Sequence, residues 1–296
     1  MIIHYCLFGI ILNQTLDGGA VILAVVVIFI SITLFKQNQY NKRLNNTRTL
    51  NKNSTDFTFN IFRSNRKMPP SGYRFLADNF EFYRKFSPKQ QKLFAARTIK
   101  FVYDKNFEGR DGQQVSFEMK VLIAATAIRL TWGLKYYLFP SFHSILIYPG
   151  EFYSGFSKAV VKGETNMAGV VVFSWKDFLF GVSDQNDNLN LGYHEFGHAL
   201  FVERFKETMD DVFIDNYDRW RRLIISKGKL KEAELKHTFR QYATYNEHEF
   251  FAVAVENFFE RPEKFKNDLP KLYNLMATML NQDPLASAQR YDRSSF

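Results

Sequence analysis

His194-Glu195-Phe196-Gly197-His198 is a five-residue stretch that, wound as a helix, builds most of a metal site. Histidines four apart lie one turn above each other on the same helical face, so both imidazoles can reach a single ion. Glu195 stands beside them, too close in sequence to complete a tetrahedron comfortably but well placed to take a proton from an activated water as general base. Leu191, Ala199, Phe201, Val202 and Phe205 surround the motif with an apolar helical pattern. That pattern predicts a helix packed in a core with one polar face turned to a cleft. The competing reading is an amphipathic helix that carries two surface histidines. Gly197 costs about 1 kcal/mol of helix propensity relative to Ala, which predicts that something packs tightly against it.

A catalytic zinc takes three protein ligands and leaves one position open. The remaining histidines, His4, His143, His237 and His248, are scattered. The best source of a carboxylate is the segment from Asn246 to Phe259, which reads as a buried helix with a polar start. Within it Glu249 and Glu256 share one face with only Ala252 and Val253 between them, and such small side chains let one helix approach another closely. Spacing alone leaves Glu247, Glu249, Glu256 and His248 all open as the third ligand. A Glu in an aromatic-rich helix can equally cap the helix or pair with an Arg.

Here the chain resembles the Mlc titration factor A family of bacterial zinc peptidases, whose members carry His-Glu-Phe-(Ala or Gly)-His, then a Tyr, then Asn-x-x-Glu-Phe-Phe-Ala-Val. The likeness extends to Phe82-Tyr83-Arg84-Lys85-Phe86-Ser87-Pro88, Phe107-Glu108-Gly109-Arg110, Ile147-Tyr148-Pro149-Gly150-Glu151-Phe152, Val172-Phe173-Ser174-Trp175 and Asn281-Gln282-Asp283-Pro284-Leu285. It runs in register through residues 71 to 286. The resemblance implies a gluzincin-type site in which His194, His198 and Glu249 bind zinc and Glu195 is the general base. By the same comparison Tyr242 matches a family tyrosine near the metal that stabilises the oxyanion; ordinary packing is the alternative for one of fifteen tyrosines. The family's namesake carries an acidic residue two positions before that tyrosine, where this chain has Arg240. An acid there could orient a ligand or bind a substrate amine, whereas Arg could receive a carboxylate, so substrate preference does not carry over.

Upstream of the metal helix, residues 168 to 173 read as a strand, which at a sheet edge could add a substrate peptide as a further strand; a fully paired interior strand fits the sequence equally. Ser174 with Asp177 forms an N-terminal capping box that predicts a short helix before the metal helix. The polar run from Ser183 to Asn188 then reads as a solvated loop rather than a calcium site. Ser87-Pro88 opens a helix through Lys105, with Ser as cap and Pro at the first position. A second helix is predicted from Ser116 to Thr131, and strands at 144 to 148 and 168 to 173. The order is that of an α+β fold. The 32 Phe residues are read as core.

The front of the chain speaks of location. Residues 18 to 35 contain no charge and as a helix span about 27 Å, close to the thickness of a bilayer core. Without a basic leader or a small-residue cleavage site, they read as a membrane anchor rather than a signal peptide. Lys36, Lys42, Arg43, Arg48, Lys52, Arg63, Arg66 and Lys67 follow with only Asp56 against them, and no Lys or Arg precedes the span. The positive-inside rule therefore places the catalytic domain in the cytoplasm, on the inner membrane. The single cysteine, Cys6, excludes an intrachain disulfide and agrees with a reducing compartment.

Most of the net charge of +9 lies in that basic stretch. It carries no nucleic-acid-binding fold, so anionic lipid rather than nucleic acid is its expected neighbour. The chain divides into a short N-terminal segment 1–17, a transmembrane helix 18–35, a basic juxtamembrane linker 36–70 and a zincin-like metallopeptidase domain 71–296. No internal repeat, phosphate-cradling glycine loop or nucleophile motif around Cys6 is present. Two classes of function follow. One is a membrane-tethered zinc peptidase acting on a peptide or protein substrate, with aminopeptidase-like activity implied by the resemblance. The other is a regulatory binding protein, since the family's namesake is named for sequestering a transcriptional repressor of glucose uptake genes.

Overall fold

A computed structural model describes residues 67–183, 189–205, 209–226 and 246–286. Contacts divide the chain into Met1–Lys52 and Asn53–Phe296, and the described residues all belong to the second unit. The anchor predicted at 18–35, most of the basic linker, Arg240 and Tyr242 lie outside the described residues. Among the described residues no helix is long and apolar enough to cross a membrane.

Two short helices, α1 (Pro70–Asn79) and α2 (Glu81–Arg84), lead into α3 (Pro88–Asp104). The start of α3 is fixed by its sequence: Ser87 Oγ accepts from Gln90 N at 3.4 Å while Gln90 Oε1 accepts from Ser87 N at 2.8 Å. Pro88 sits at the first position, where its missing N–H has no helical partner to lose. Strand β1 (Asn106–Gly109) and helix α4 (Phe117–Leu130) follow, with Ser116 capping α4 through Met119 N at 3.3 Å. Next come β2 (Ser144–Tyr148), the hairpin β3 (Phe152–Ser154) and β4 (Ala159–Val161), then β5 (Gly163–Asn166) and β6 (Val170–Ser174). Ser174 ends β6 and caps α5 (Trp175–Ser183), receiving Asp177 N at 3.3 Å and donating to Asp177 Oδ2 at 2.5 Å. The metal-motif helix α6 (Leu191–Glu203), α7 (Asp211–Ser226), α8 (Glu247–Glu260), α9 (Pro262–Asp268) and α10 (Pro270–Met279) complete the α+β order.

The main sheet runs β1-β2-β6-β5, with β1, β2 and β6 parallel and β5 antiparallel to β6 at one edge. The strand read at 168–173 is therefore interior, and the edge reading is corrected. Val171, Val172 and Phe173 are buried, as expected for a strand paired on both sides. The edge near the metal motif is β5, a Gly-Glu-Thr-Asn segment with none of the apolar alternation by which strands are recognised.

Helix α6 packs on α4, α5, α8, β5 and β6 at once. Its Phe196 is 1% exposed and meets Phe101, Phe139 and Phe173 at ring centroids of 6.0, 5.5 and 5.5 Å. Burial of one such ring contributes about 2–3 kcal/mol, so this motif residue locks the helix to the layers around it.

Candidate metal centre

Two helix starts determine where the polar groups of the site fall. Asn190 caps α6 by accepting from Tyr193 N at 3.0 Å, while its amide donates to the carbonyl of Gly181 at 3.1 Å. That pins the entry of the metal-motif helix to the end of α5. Asn246 caps α8 by accepting from Glu249 N at 2.8 Å, which places Glu249 in the first turn. The two helices then approach closely, because a Cβ at Gly197 would lie only 3.0 Å from the Cα of Ala252. The predicted tight packing at Gly197 is thus against the small residues of α8.

His194, His198 and Glu249 are brought together by this approach, with one donor atom from each lying within 4.8 Å of the others. His194 Nε2 lies 3.0 Å from His198 Nε2, and the two oxygens of Glu249 face one imidazole each, Oε2 at 3.5 Å from His194 Nε2 and Oε1 at 3.4 Å from His198 Nε2. Donors about 2.0–2.1 Å from a tetrahedral zinc stand about 3.4 Å apart, so two imidazoles and a carboxylate brought this close suit such an ion. The two Nε2 atoms face each other, with the Glu249 carboxylate beside both.

The other candidates are placed elsewhere. Glu256 lies behind His194, whose Nδ1 approaches its Oε1 at 2.5 Å. With its proton on Nδ1 the ring turns Nε2 toward His198 and Glu249, the kind of arrangement by which carboxylates orient imidazoles. Glu247 turns away to accept from the Tyr217 hydroxyl and from Arg221 Nε at 3.0 and 2.9 Å. His248 stacks on His198, with centroids 3.9 Å apart and planes 25° off parallel.

Glu195 is 4% exposed, and its Oε2 lies 2.9 Å from the hydroxyl of Thr165 on β5. Its side chain rests on Gly163, where any Cβ would come within 2.4 Å of Oε1. Burial pushes the Glu195 carboxyl up to about 7, opposed by the positive charge of His194 and by the Thr165 hydrogen bond. Burial also disfavours charge on His194, yet hydrogen bonds to Glu249 and Glu256 outweigh it and hold its pKa well above the usual histidine range. His198 is driven well below that range by burial, then by the charges of His194 and His248. The hydrogen bond with His194 keeps Glu249 ionised below the usual carboxylate range. The centre thus offers anionic and imidazole donors in a mostly buried setting, a donor set suited to a divalent cation.

The contacts of Gly163 and Thr165 with Glu195, and of Glu256 with His194 Nδ1, were not anticipated from the sequence. Only for Glu256 was there a signal, its seven-residue spacing from Glu249 along one face. Gly163 and Thr165 sit in a polar four-residue strand some thirty residues before the motif, and nothing local marks them.

A family model described as glucose-regulated metallo-peptidase M90 matches residues 55–280, and the chain belongs to that family. Among curated proteins, the uncharacterized protein slr2042 of Synechocystis sp. is 27% identical over 240 residues, covering 74% of this chain and 86% of its own length. Mlc titration factor A of Yersinia enterocolitica is 28% identical over 177 residues, covering 52% of this chain and 64% of that protein. Mlc titration factor A of Yersinia pestis is 25% identical over 230 residues, with 70% and 83% covered. A metallopeptidase family implies a metal, and the His-His-Glu donor group is where the described residues could hold one.

Proposed function

We propose that this chain is a zinc-dependent peptidase in which His194, His198 and Glu249 hold the metal and Glu195 is the general base. The observation that carries the reading is the buried Glu195 carboxyl, held by Thr165 beside two imidazoles and a carboxylate whose donor atoms lie within 4.8 Å of one another. Bound zinc supplies the polarisation of the scissile carbonyl and a water of near-neutral acidity. Glu195 takes the proton of the attacking water and hands it to the leaving amine. Thr165 fixes the carboxylate for both transfers, and Gly163 leaves it room against the strand. Tyr242 donates to the oxyanion in this reading, and Arg240 receives a substrate carboxylate.

Substrate is held by β5, whose pairing among the described residues is to β6 alone. An extended peptide added along its outer edge would pass the metal centre on the same strand that carries Thr165. Small peptides taken from their amino termini are the expected class, supported by the family resemblance. The uncharged segment 18–35 and the cations after it support a single-pass anchor with the domain on the cytoplasmic side of the inner membrane. The test is Glu195→Gln, which should keep zinc and lose cleavage.

A second reading is favoured by the name of the Yersinia relatives, Mlc titration factor A, which speaks of a protein partner. In that reading the domain binds a regulatory protein, and Glu195 is dispensable for the binding. The two readings part on this variant, since only peptidase activity requires the base.

A further inference from the structure

We infer that His248 is the positioning residue for His198: its ring, stacked on the His198 imidazole, orients that donor in place of the hydrogen bond that orients His194. The inference rests on the reading of His194, His198 and Glu249 as a metal site.

The two histidines of the motif are supported differently. His194 has Glu256 on its Nδ1 at 2.5 Å. His198 is 5% exposed, and its Nδ1 has no hydrogen-bond partner among the described residues. A ligating imidazole ordinarily gives its remote N–H to a carboxylate or carbonyl, and that bond sets the ring's rotation. Lacking it, the His198 ring is held by packing. His194 presents an edge, with centroids 4.6 Å apart and planes at 88°, which constrains one side. His248 covers the face at 3.9 Å and 25°.

His248 is itself wedged. Phe201 lies edge-on behind it at 4.8 Å and 68°, and the Arg204 guanidinium caps Phe201 at 3.4 Å from the ring centroid. Its neighbours in the first turn are held as well, Glu247 by its side chain, to Tyr217 and Arg221, and Glu249 by its backbone N–H, to Asn246. A stacked ring held in the first turn of a capped helix acts as a wall, and rotation of His198 away from His194 and Glu249 would have to push it aside.

Stacking also argues against His248 as a ligand. A ligating imidazole points a nitrogen at the ion within its own ring plane. Two rings nearly parallel and 3.9 Å apart have offset planes, so they cannot both direct a nitrogen to one ion. The nearly perpendicular His194 and His198 rings can.

The test compares full-length wild type, His248→Phe, His248→Ala and His194→Ala. Zinc affinity is read by competition with a chromophoric chelator, ligand geometry by the visible spectrum of the cobalt(II) form, and folding by metal-free melting. Loss of an outer orienting group typically weakens metal binding roughly ten- to a hundredfold, and that is the effect expected of His248→Ala, with a shifted cobalt spectrum. His248→Phe keeps a ring face and should stay within about threefold of wild type with an unchanged spectrum. Should His248→Ala melt early, His248→Leu fills the space without a ring and carries the same comparison. Wild-type affinity and spectrum in the ringless variants would overturn the inference, as would a His248→Phe protein that is folded yet as weak as His248→Ala. Failure of the wild type to bind zinc, or binding indifferent to His194→Ala, would instead overturn the site reading and this inference with it.

Discussion

Glu195 is a carboxyl in a mostly buried setting, and its neighbours determine whether it can act as a base. General acid–base groups contribute about 10²- to 10⁴-fold to rate, so Glu195→Gln should cut kcat by that much while zinc per chain stays unchanged. Thr165→Val removes the hydroxyl 2.9 Å from Oε2, and loss of one such hydrogen bond predicts about a tenfold fall in kcat, again at constant zinc. Glu256→Gln keeps the shape behind His194 but removes the charge, which should weaken zinc binding about tenfold in a chelator competition. The histidine pair was legible in the sequence because helical periodicity converts a spacing of four directly into a shared face. Thr165 and Gly163 were not, because their nearness to Glu195 arises from the path of β5 across the sheet.

At the level of elements, the site depends on how closely α6 and α8 pack. Gly197→Val would drive a branched side chain toward the Ala252 backbone, whose Cα lies 3.0 Å from even a single added carbon. Overpacking of this kind costs about 1–3 kcal/mol, so thermal melting should fall by roughly 2–12 °C, with zinc affinity falling as Glu249 is pushed from the histidines. Gly163→Ala acts on β5, where the new methyl would strike Glu195, so it should lose cleavage while retaining zinc. The starts of α3, α4 and α5 were readable from Ser87, Ser116 and Ser174, since capping is a contact within a single turn. Strand β6 was recognisable by its run of valines, yet its place inside the sheet was not. Pairing on both sides is settled by β2 and β5, which carry no local mark of their order.

Across the whole molecule, the family match spans residues 55–280, whereas the reading of the front of the chain is compositional. If the proposed anchor at 18–35 holds, the full-length protein should sediment with membranes and resist release by high salt, while a chain lacking residues 1–35 should appear in the soluble fraction. Recovery of the full-length protein in the salt wash would contradict the anchor without touching the metal site. Peptidase chemistry is the central claim, and it is tested most directly by measuring zinc per chain and scanning cleavage of a mixed peptide library by mass spectrometry for full-length wild type and Glu195→Gln. The account predicts about one zinc per chain in both proteins and cleavage by the wild type alone. A zinc-free wild type, or a Glu195→Gln protein that cleaves as fast as wild type, would contradict it.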